Sequence, residues 1–436
     1  MKIFNLNNET IIKEFFSYLT EEQKFEKKIE KSVLKIFNRI KKSGFEGLRY
    51  YSKKFDDFDL TYDNFIVKKD EIDQLAKKIE PKLEKALKTA VKRISDFHKN
   101  ELLESFAIKD KDNNRMGQKI IPLDSCAIYI PGGEALYPST LYMTAIPAII
   151  AGVKRIVLLS PPKTFERSSE IAKLIQILGI KEVYRIGGPQ AIFAATYGIE
   201  PMQAVDKIAG PGNAYVAKAK QIVYGKVDID MIAGPSEILI IADTNDAKDI
   251  HLIASDLLSQ AEHGPAGYTR SILIGYEKNY LIKIRDETYR QAGNLPDKQK
   301  NIAIRSLDAK GMIVICKNVS ECVEISNKIA PEHLEIFSLK PYPLLDKIRN
   351  AGSIFLGKNT PESAGDYLAG PNHVLPTSGT ARFFSPLGVY DFQKRLSWIE
   401  FSNRAIRKYS MEIALIARAE GLEAHARSAE IRLNNK

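Results

Sequence analysis

The sequence predicts an α/β protein whose sheets are built mainly from parallel strands. Short apolar runs, typical of buried strands, alternate along most of the chain with longer amphipathic runs of helical spacing. This alternation favours parallel sheets covered by helices on both faces. The length of 436 residues is about three times the ~150 residues usual for one domain. We therefore expect two or three cores with smaller appendages.

The first hundred residues are rich in Lys, Glu and Leu and are predicted to be helical, because apolar residues recur about every 3.6 positions. Eight residues from Lys24 to Lys42 are Lys or Arg. Ile29, Val33 and Ile40 recur among them at helical spacing, so the charge is most simply the solvated face of one helix. Nucleic-acid binding would call for aromatic stacking residues or a known motif, and neither accompanies this charge.

The alternating part of the chain begins near residue 125. Its apolar runs predict strands, and the periodic runs between them predict helices. Gly and Pro punctuate several of the boundaries. The predicted strands are 125–133, 155–160, 182–188, 236–243, 271–276 and 312–316, and the predicted helices are 170–178, 246–263 and 319–329.

After Tyr390 the pattern indicates helix to the end of the chain. That tail has too few residues to form a hydrophobic core of its own. We expect it to pack on another body, and a partner subunit is one candidate.

Composition and charge exclude several classes of protein. With 44% hydrophobic and 27% charged residues the chain resembles a globular protein and not a disordered one. The net charge of +10 favours acidic ligands only weakly. Cys126, Cys316 and Cys322 lie in apolar segments without paired spacing, which predicts reduced thiols and neither disulfides nor a cysteine zinc site. The N-terminus has no apolar signal core, and the longest apolar run, around 141–153, is too short to span a bilayer. A cytoplasmic protein is expected.

Three glycine-rich turns are candidates for binding a phosphate group. IGGPQ at 186–190, AGPGNAY at 209–215 and IAGPSE at 232–237 could each bring backbone amides close to a ligand, since glycine has no Cβ. In open parallel sheets, ligands bind in the loops at the carboxyl ends of strands. None of the three turns is a true dinucleotide fingerprint, because Tyr215 stands where the third glycine should fall. Each alone is equally consistent with a structural turn.

Polar side chains gather in DLLSQAEHG at 256–264. Helical spacing places Asp256, Gln260 and His263 on one face and directs Glu262 elsewhere. Of the six histidines, His98 and His251 lie in amphipathic helical runs, whereas the other four stand near further polar groups. His333 adjoins Glu332, His373 follows Asp366 in a polar loop, and His425 lies near Glu420 and Glu423.

Nitrogen and oxygen ligands of this kind suit zinc or a similar divalent ion. Each fragment alone is more simply an ordinary structural or solvated feature, and spacing does not choose Glu420 over Glu423. The residues by themselves therefore support an α/β protein with one candidate zinc site and one candidate nucleotide site.

Taken together, the motifs resemble histidinol dehydrogenases. The resemblance rests on their order and spacing, and it extends from about residue 30 to AEGLEAH in the tail. The matching stretches are VDKIAGPGNAYVAKAK, MIAGPSEILIIAD, ASDLLSQAEHGP, APEHLEIF, AGDYLAGPNHVLPTSG and LGVYDFQKR. Only the segment GPAGYTRS after His263 looks locally divergent.

The resemblance implies two incomplete Rossmann-like domains with parallel-rich sheets and small helical N- and C-terminal appendages. We expect residues 24–126 and 236–385 to form the first domain and 127–235 the second. Residues 1–23 are expected to form a helical segment packed with the tail, and 386–436 the helical tail that contacts a partner subunit. The implied assembly is a homodimer with shared active sites.

The resemblance also implies an enzyme of histidine biosynthesis. Such an enzyme oxidises L-histidinol twice, through histidinaldehyde, to L-histidine with two NAD⁺ and a bound Zn²⁺. Carried over by motif, Glu332 and His333 are the acid/base pair. The implied zinc ligands are Gln260, His263, Asp366 and His425, of which His425 reaches the other subunit's site.

The remaining implied contacts concern substrate and cofactor. Ser236, His373 and Glu420 are substrate contacts in addition to the acid/base and metal residues, and Tyr129, Gln190 and Asn213 lie at the NAD⁺ site. His333, with an ordinary pKa near 6.5, is expected to remove the hydroxyl proton, and Glu332 to activate the water that hydrates the aldehyde. Asp256 and Glu262 become surroundings of the site, and Asp256 is a candidate for supporting the metal ligands.

Two alternatives from other classes remain at this point. A zinc hydrolase could use the same Gln, His and Asp ligands with Glu332 as base, but it would not need the glycine turns together with Tyr129 and Gln190. A nucleic-acid-binding protein could use the positive charge, but it would not need Asp366 and His373. Neither nucleic acid nor a membrane is expected as a partner.

Overall fold

The computed structural model describes residues 1–6, 9–20, 26–132, 137–232, 234–263 and 268–433. Parts of two sequence motifs, Gly133 of the first predicted strand and 264–267 of the divergent loop, lie outside the described residues, as does Ala233. Among the described helices, none is long and apolar enough to cross a membrane.

Fourteen strands form three sheets in the described part of the chain. The strands are β1 Lys2–Asn5, β2 Phe106–Lys109, β3 Arg115–Pro122, β4 Ser125–Tyr129, β5 Arg155–Ser160, β6 Glu182–Arg185, β7 Lys207–Ala209, β8 Asp228–Ile229, β9 Glu237–Asp243, β10 Arg270–Gly275, β11 Met312–Ile315, β12 His333–Ser338, β13 Ser353–Leu356 and β14 Gln393–Glu400.

The helices cover both faces of the parallel sheets and form most of the first hundred residues and the end of the tail. They are α1 Glu9–Thr20, α2 Glu26–Ser43, α3 Phe45–Asp56, α4 Tyr62–Phe65, α5 Lys69–Ala76, α6 Pro81–His98, α7 Pro138–Ala151, α8 Thr164–Arg167, α9 Ser169–Leu178, α10 Gly188–Tyr197, α11 Ala214–Val223, α12 Ile250–Ala261, α13 Lys278–Ala292, α14 Asp297–Lys310, α15 Val319–Ile329, α16 Tyr342–Leu345, α17 Glu362–Tyr367, α18 Asn403–Ala419 and α19 Glu423–Glu430.

Two of the sheets are parallel. The six-stranded sheet has the order β1-β11-β10-β9-β12-β13, and the five-stranded sheet has the order β6-β5-β4-β7-β8. In both, the chain adds strands on one side and then returns to add strands on the other, with the reversal between β9 and β12 and between β4 and β7 respectively. Their central strands are buried along their whole length, as in β4 and β10, because helices cover both faces.

The α/β fold with two parallel sheets confirms the fold class predicted from the sequence. The apolar runs at 155–160, 182–188, 236–243, 271–276 and 312–316 all contain strands, and the periodic run at 319–329 is helix α15. All three cysteines are free and buried, as predicted.

The prediction that the chain is entirely helical after Tyr390 was wrong. Residues Gln393–Glu400 form β14, which pairs antiparallel with all eight residues of β3, while β2 pairs on the other side of β3. The segment QKRLSWIE is largely exposed and has no clear period of two, so its pattern gives little indication of a strand; antiparallel pairing with β3 places it in the sheet. The helical tail therefore begins only at α18.

The predicted division of the first 126 residues does not agree with the packing. Residues from Ile29 to Phe65 share a hydrophobic core with Tyr129 and Phe193 of the five-stranded sheet's domain. Helices α5 and α6 pack on the opposite face of that same sheet. The helices from 26 to 98 thus cover the five-stranded sheet, although the sequence grouped 24–126 with 236–385. Amphipathic spacing shows that a helix has an apolar face but does not show which sheet covers it.

The N-terminal segment also packs differently from the prediction. Strand β1 pairs in parallel with β11, and Phe15 of α1 is fully buried against Phe4 in the core of the six-stranded sheet. The sequence placed residues 1–23 against the C-terminal tail. Strand β1 has only four residues, KIFN, of which two are apolar, so the sequence gives little indication that it is an edge strand.

Replacing Phe15 with Ala tests this packing. The substitution leaves a cavity under the six-stranded sheet and should lower the free energy of unfolding by about 3–5 kcal/mol. Phe55, which is 52% exposed on α3, serves as the control, and Phe55→Ala should change stability by less than about 0.5 kcal/mol. Urea unfolding followed by circular dichroism compares the two, and equal stabilities would contradict the placement of α1.

Candidate active site

The candidate site lies at the amino ends of two neighbouring strands of the six-stranded sheet. Strand β12 begins at His333 and pairs in parallel with β9, with His333 opposite Ile238. The end of α12 and helix α17 supply further polar side chains beside these strand starts. Open parallel sheets usually bind ligands at the carboxyl ends of their strands, so this cluster lies at the opposite end from the expected one. The glycine turns of the five-stranded sheet do lie at carboxyl ends.

His333 is buried and surrounded by acceptors. Its Nδ1 lies 3.1 Å from the carbonyl oxygen of Glu237 and 3.2 Å from Oε1 of Glu362. Its Nε2 lies 3.6 Å from Oδ1 of Asp366. A carbonyl oxygen can only accept, so Nδ1 carries a proton and, in the neutral ring, Nε2 is the basic nitrogen. The ring therefore presents its base to the side of Asp366.

The charges around His333 shift its pKa away from the ordinary value that the sequence suggested. Burial alone would lower the pKa of His333, but the carboxylates of Glu332, Glu362 and Asp366 raise it to about 10. Burial raises the pKa of Glu332 to about 8. The ring of His333 is therefore neutral, and able to act as a base, only when a positive charge offsets these carboxylates. A cation bound at Asp366 would lower the pKa of His333, because it would neutralise part of their negative charge.

Glu332 is held in place by the strand beside it. Its Oε2 accepts a 2.9 Å hydrogen bond from the backbone N–H of Glu237 and lies 3.7 Å from Nδ1 of His333. The carboxylate of Glu237 is itself buried, pairs with Arg270 at 3.2 Å, and accepts from the N–H of Ser378 at 3.1 Å. The acid/base pair thus rests on a rigid and fully buried support.

The sequence missed a group of buried carboxylates behind His333. Glu362 is 2% exposed, and its Oε2 accepts a 2.7 Å hydrogen bond from Ser259. Burial also raises the pKa of Asp256 to about 6, and the pKa of Glu335 rises well above its usual range because of burial and the neighbouring Asp256. Asp256, already a candidate for supporting the ligands from the sequence, belongs to this buried group, whereas Glu262 is exposed. Glu362 stands four residues before Asp366, a helical spacing that could have marked it.

Three of the four predicted metal ligands lie in this region of one chain. Gln260 and His263 lie at the end of α12, and Asp366 lies on α17. Both polar atoms of the Gln260 side chain are buried without a hydrogen-bond partner, which is costly unless a ligand completes them. Burial lowers the pKa of His263, so its ring is kept neutral as a ligand requires.

A single chain does not complete such a site. Within the described ranges, no group of three or more His, Cys, Asp or Glu side chains is arranged to hold a metal ion. Gln260 is outside that set of residue types, and His425, the fourth candidate, is exposed on α19. Glu420, at the end of α18, is exposed as well. The donors present fit an N/O metal site that still lacks a ligand.

The remaining predicted substrate contacts lie near His333. His373 Nδ1 lies 2.9 Å from the carbonyl oxygen of Asp366, and burial lowers the pKa of His373. A cavity beside the strand starts is lined by His333, Phe355, Asp366, Asn372 and His373. Ser236 immediately precedes β9 and is half-buried. The structure thus brings Ser236 and His373 to the same end of the sheet as the acid/base pair.

The predicted cofactor residues lie at the carboxyl ends of the five-stranded sheet. The hydroxyl of Tyr129, at the end of β4, accepts a 3.0 Å hydrogen bond from the N–H of Gly188. Gln190 is 1% exposed, and its Oε1 has no hydrogen-bond partner. Asn213 caps α11 through hydrogen bonds from Tyr215 and Val216. These residues flank the β4–β7 reversal, where open parallel sheets bind nucleotides.

The two sheets meet at the candidate site. Tyr142 of α7, which follows β4, donates a 3.0 Å hydrogen bond to the carbonyl oxygen of Tyr367 on α17. Asn372, beside His373, donates at 2.6 Å to the carbonyl oxygen of Met143 on α7. Helix α7, which packs on the five-stranded sheet, is therefore hydrogen-bonded to α17 and to the loop that carries His373.

Fold and site together define an α/β enzyme of the NAD-dependent oxidoreductase class. A family model described as histidinol dehydrogenase matches residues 19–433, and the chain belongs to that family. It is 45% identical to the histidinol dehydrogenase of Bacillus licheniformis, over 99% of both chains. It is 44% identical to that of Bacillus subtilis, covering 95% of this chain and 94% of the relative.

A solved structure supports the same conclusion at the level of the fold. The crystal structure of histidinol dehydrogenase from Elizabethkingia anophelis superposes with a TM-score of 0.92 at 35% identity, covering 99% of this chain and 98% of that one. The fold and the family predicted from the sequence are thus confirmed.

The buried carboxylates behind His333 should make stability depend on pH. The native pKa of Asp256 is about 6 and that of Glu335 is also raised, whereas in the unfolded chain both titrate near about 4. The folded state therefore binds more protons than the unfolded chain, and these protons stabilise the fold. This stabilisation is complete below the pKa values of the unfolded chain and is lost as the pH rises through the pKa values of the folded protein. Glu335→Gln, which cannot ionise, should lose less thermal stability than wild type between pH 5 and pH 8.

Melting temperatures measured by circular dichroism at the two pH values test this dependence. Glu324→Gln is the matched control, because Glu324 is exposed on α15 and its substitution should leave the pH dependence unchanged. If Glu335→Gln and wild type lose equal stability, the carboxylate pair does not retain its protons.

Proposed function

We propose that the chain oxidises L-histidinol to L-histidine in two successive steps, through histidinaldehyde, with two NAD⁺ as oxidants. The observation that carries the proposal is the buried His333, whose Nδ1 is fixed by the carbonyl of Glu237 and whose Nε2 faces the cavity beside Asp366. Family membership supplies the substrate, because the relatives named above carry that activity in their names.

His333 acts as the base in the first oxidation. An alcohol gives up a hydride readily only when its hydroxyl proton is removed, and Nε2 of the neutral ring is the acceptor. The resulting imidazolium is stabilised by Glu362 at 3.2 Å and by Glu332 at 3.7 Å, both on the Nδ1 side. NAD⁺, when bound, takes the hydride in each oxidation.

Glu332 serves the second oxidation. The aldehyde must be hydrated before another hydride can leave, and a carboxylate at this position can take a proton from the attacking water. Burial raises the pKa of Glu332 to about 8, which brings it close to the pKa that suits acid/base work near neutral pH. The two residues thus divide the work: His333 deprotonates the alcohol and Glu332 the water.

Gln260, His263 and Asp366 are proposed to hold a zinc ion together with His425 of a second copy. The buried and unpartnered amide of Gln260 and the neutral ring of His263 support this ligand set. Zinc, when bound, would anchor and orient the substrate's amino and imidazole groups. Ser236, His373 and Glu420 are proposed as further substrate contacts. For NAD⁺ we propose Tyr129, Gln190 and Asn213.

A homodimer with shared active sites is proposed from the tail. Trp398, Ile399, Leu415 and Ile416 are exposed on β14 and α18, with Ile399 73% exposed and Leu415 and Ile416 each 64% exposed. Exposed large apolar side chains concentrated in one segment of the chain favour a protein interface there. A second copy covering it would also bring Glu420 and His425, which are exposed in one chain, to a partner's site. Residues 386–436 are thus proposed to be the subunit contact.

Neither of the two alternative functions gains support. A zinc hydrolase gains no support, because the family match runs through the glycine turns and the tail as well as through the metal residues. The basic face of α2 carries no structural feature that favours nucleic acid, since Ile29, Val33 and Ile40 bury its other face in an ordinary core. A cytoplasmic location stays a prediction.

The decisive test mixes purified protein with L-histidinol, NAD⁺ and zinc and follows NADH by absorbance. Two NADH should form for each histidinol consumed. An absence of histidinol-dependent NADH at every metal loading would overturn the proposed function.

Substitutions at two histidines should separate base from ligand. His333→Asn should lower kcat by about 10²–10⁴-fold with little change in KM, because it removes a proton acceptor. His263→Asn should weaken zinc retention and raise the KM for histidinol. Steady-state kinetics, with bound zinc measured by atomic absorption, checks both. Full turnover in His333→Asn would show that another residue is the base.

Mixing of inactive variants tests the shared site. His333→Asn and His425→Asn each disable a different half of the proposed site, so hybrid dimers should contain one complete site. Co-refolded mixtures should regain part of the wild-type activity, whereas each variant alone should not. If the mixture stays as inactive as its components, His425 does not act across subunits.

A further inference from the structure

One fully buried ion pair lies outside the candidate site and is not used by the proposed chemistry. Lys220 of α11 contacts Asp230, which follows β8, and their side chains are only 3% and 1% exposed. Removing two charges from water costs most of the free energy that is gained from their attraction. A buried ion pair therefore adds little net stability. A buried pair that adds little stability calls for another explanation.

Both members of the pair hold the backbone of one residue, Gly210. Oδ2 of Asp230 accepts a 2.7 Å hydrogen bond from the N–H of Gly210, and Nζ of Lys220 donates at 3.1 Å to its carbonyl oxygen. Oδ1 of Asp230 also accepts from the N–H of Met231 at 2.7 Å. Gly210 therefore has its donor and its acceptor fixed by opposite charges, and it cannot rotate without breaking both.

Gly210 is the first residue after β7, in the turn that leads to Asn213. Its φ of +115° is one that residues with a Cβ rarely adopt, and an added Cβ would lie 2.2 Å from the carbonyl oxygen of Tyr129. The turn thus rests directly on the backbone at the end of β4. Tyr129 and Asn213, two of the proposed NAD⁺ contacts, lie on either side of this packed point.

We infer that the Lys220–Asp230 ion pair is a positioning device for NAD⁺ binding. It fixes the Gly210 turn against Tyr129, so that the backbone amides and Asn213 face the cofactor in one arrangement. The pair does not touch the cofactor itself and acts through the turn. This inference rests on the proposed NAD⁺ site and adds two residues that neither the motifs nor the proposed mechanism had singled out.

The chain offers a matched control at the other ends of the same strands. Lys207 begins β7 and Asp228 begins β8, and their charges meet at 2.6 Å. Lys207 is buried like Lys220, but the pair lies at the amino ends of the strands, away from the glycine turn. Disrupting it removes a lysine–aspartate contact from the starts of β7 and β8, at the ends of these strands away from the turn.

The test compares Lys220→Met/Asp230→Asn with Lys207→Met/Asp228→Asn in the zinc-loaded enzyme. The first double variant removes both charges together, so no unpaired buried charge remains. We expect its KM for NAD⁺ to rise about tenfold, as a small misplacement of a binding group can cause, with the KM for histidinol within about twofold of wild type. NADH binding followed by fluorescence should weaken in parallel. The control should keep the wild-type KM for NAD⁺.

Several outcomes would overturn the inference. A wild-type KM for NAD⁺ in the Lys220/Asp230 variant would do so, and so would an equal rise in the control. Asn213→Ala separates the inference from the proposed function. If Asn213→Ala raises the KM for NAD⁺ and the ion-pair variant does not, only the inference fails. If neither variant changes the KM for NAD⁺, both the proposed cofactor site and the inference are wrong. Should the double variant not fold, Lys220→Gln is compared in its place, with the same expectation.

Discussion

The candidate site depends on keeping several carboxylates and one imidazole buried at the start of strand β12. Glu332, Glu335 and Glu362 are all nearly inaccessible, and each raises the free energy of any further negative charge beside it. Such a cluster persists only where rigid neighbours hold it. Parallel pairing of β12 with β9 and β13 provides that rigidity, because it fixes the backbone of His333 from both sides.

This constraint explains why the acid/base pair lies at strand starts and not in a mobile loop. The carbonyl oxygen of Glu237 reaches Nδ1 of His333 only because β9 and β12 are in register, and the N–H of Glu237 reaches Glu332 for the same reason. One residue of the neighbouring strand thus orients both catalytic candidates. A slip of one residue would reverse the side chains of β12 and separate the pair from Asp366.

Much of the fold could be predicted from the sequence because buried parallel strands are continuous apolar runs. RIVLLS and MIVIC are of this kind, and both are strands. Where the signal was shorter or mixed, prediction failed. Strand β8 has two residues, and β14 mixes polar and apolar residues without a regular period just before the helical tail. The packing of α2 and α3 on the five-stranded sheet depends on contacts with α10 and α11, which lie well over a hundred residues further along the chain, and no local pattern contains such contacts.

The candidate site was predictable to a different degree. Histidine and its acidic neighbour in APEHLEIF are distinctive, and long motifs in series carried the rest. Residues that support others gave little signal: Glu237 is one acidic residue in an apolar strand, and Lys220 is one of two lysines in α11. Their burial, which makes them effective, arises only from the tertiary structure. A side chain that binds substrate must be of one chemical type, whereas a side chain that supports it needs only the right partner at the right distance.

In the proposed function, the two parallel sheets would serve the site from opposite ends of their strands. The five-stranded sheet presents the carboxyl ends of β4 and β7, where glycine turns can approach a dinucleotide. The six-stranded sheet presents the amino ends of β9 and β12, where buried acids and a histidine can exchange protons. Helix α7 leads from β4 to hydrogen bonds with Tyr367 and Asn372. It therefore ties the sheet proposed to bind the cofactor to the segment that carries Asp366 and His373, so a shift of one sheet relative to the other would break contacts beside the candidate site.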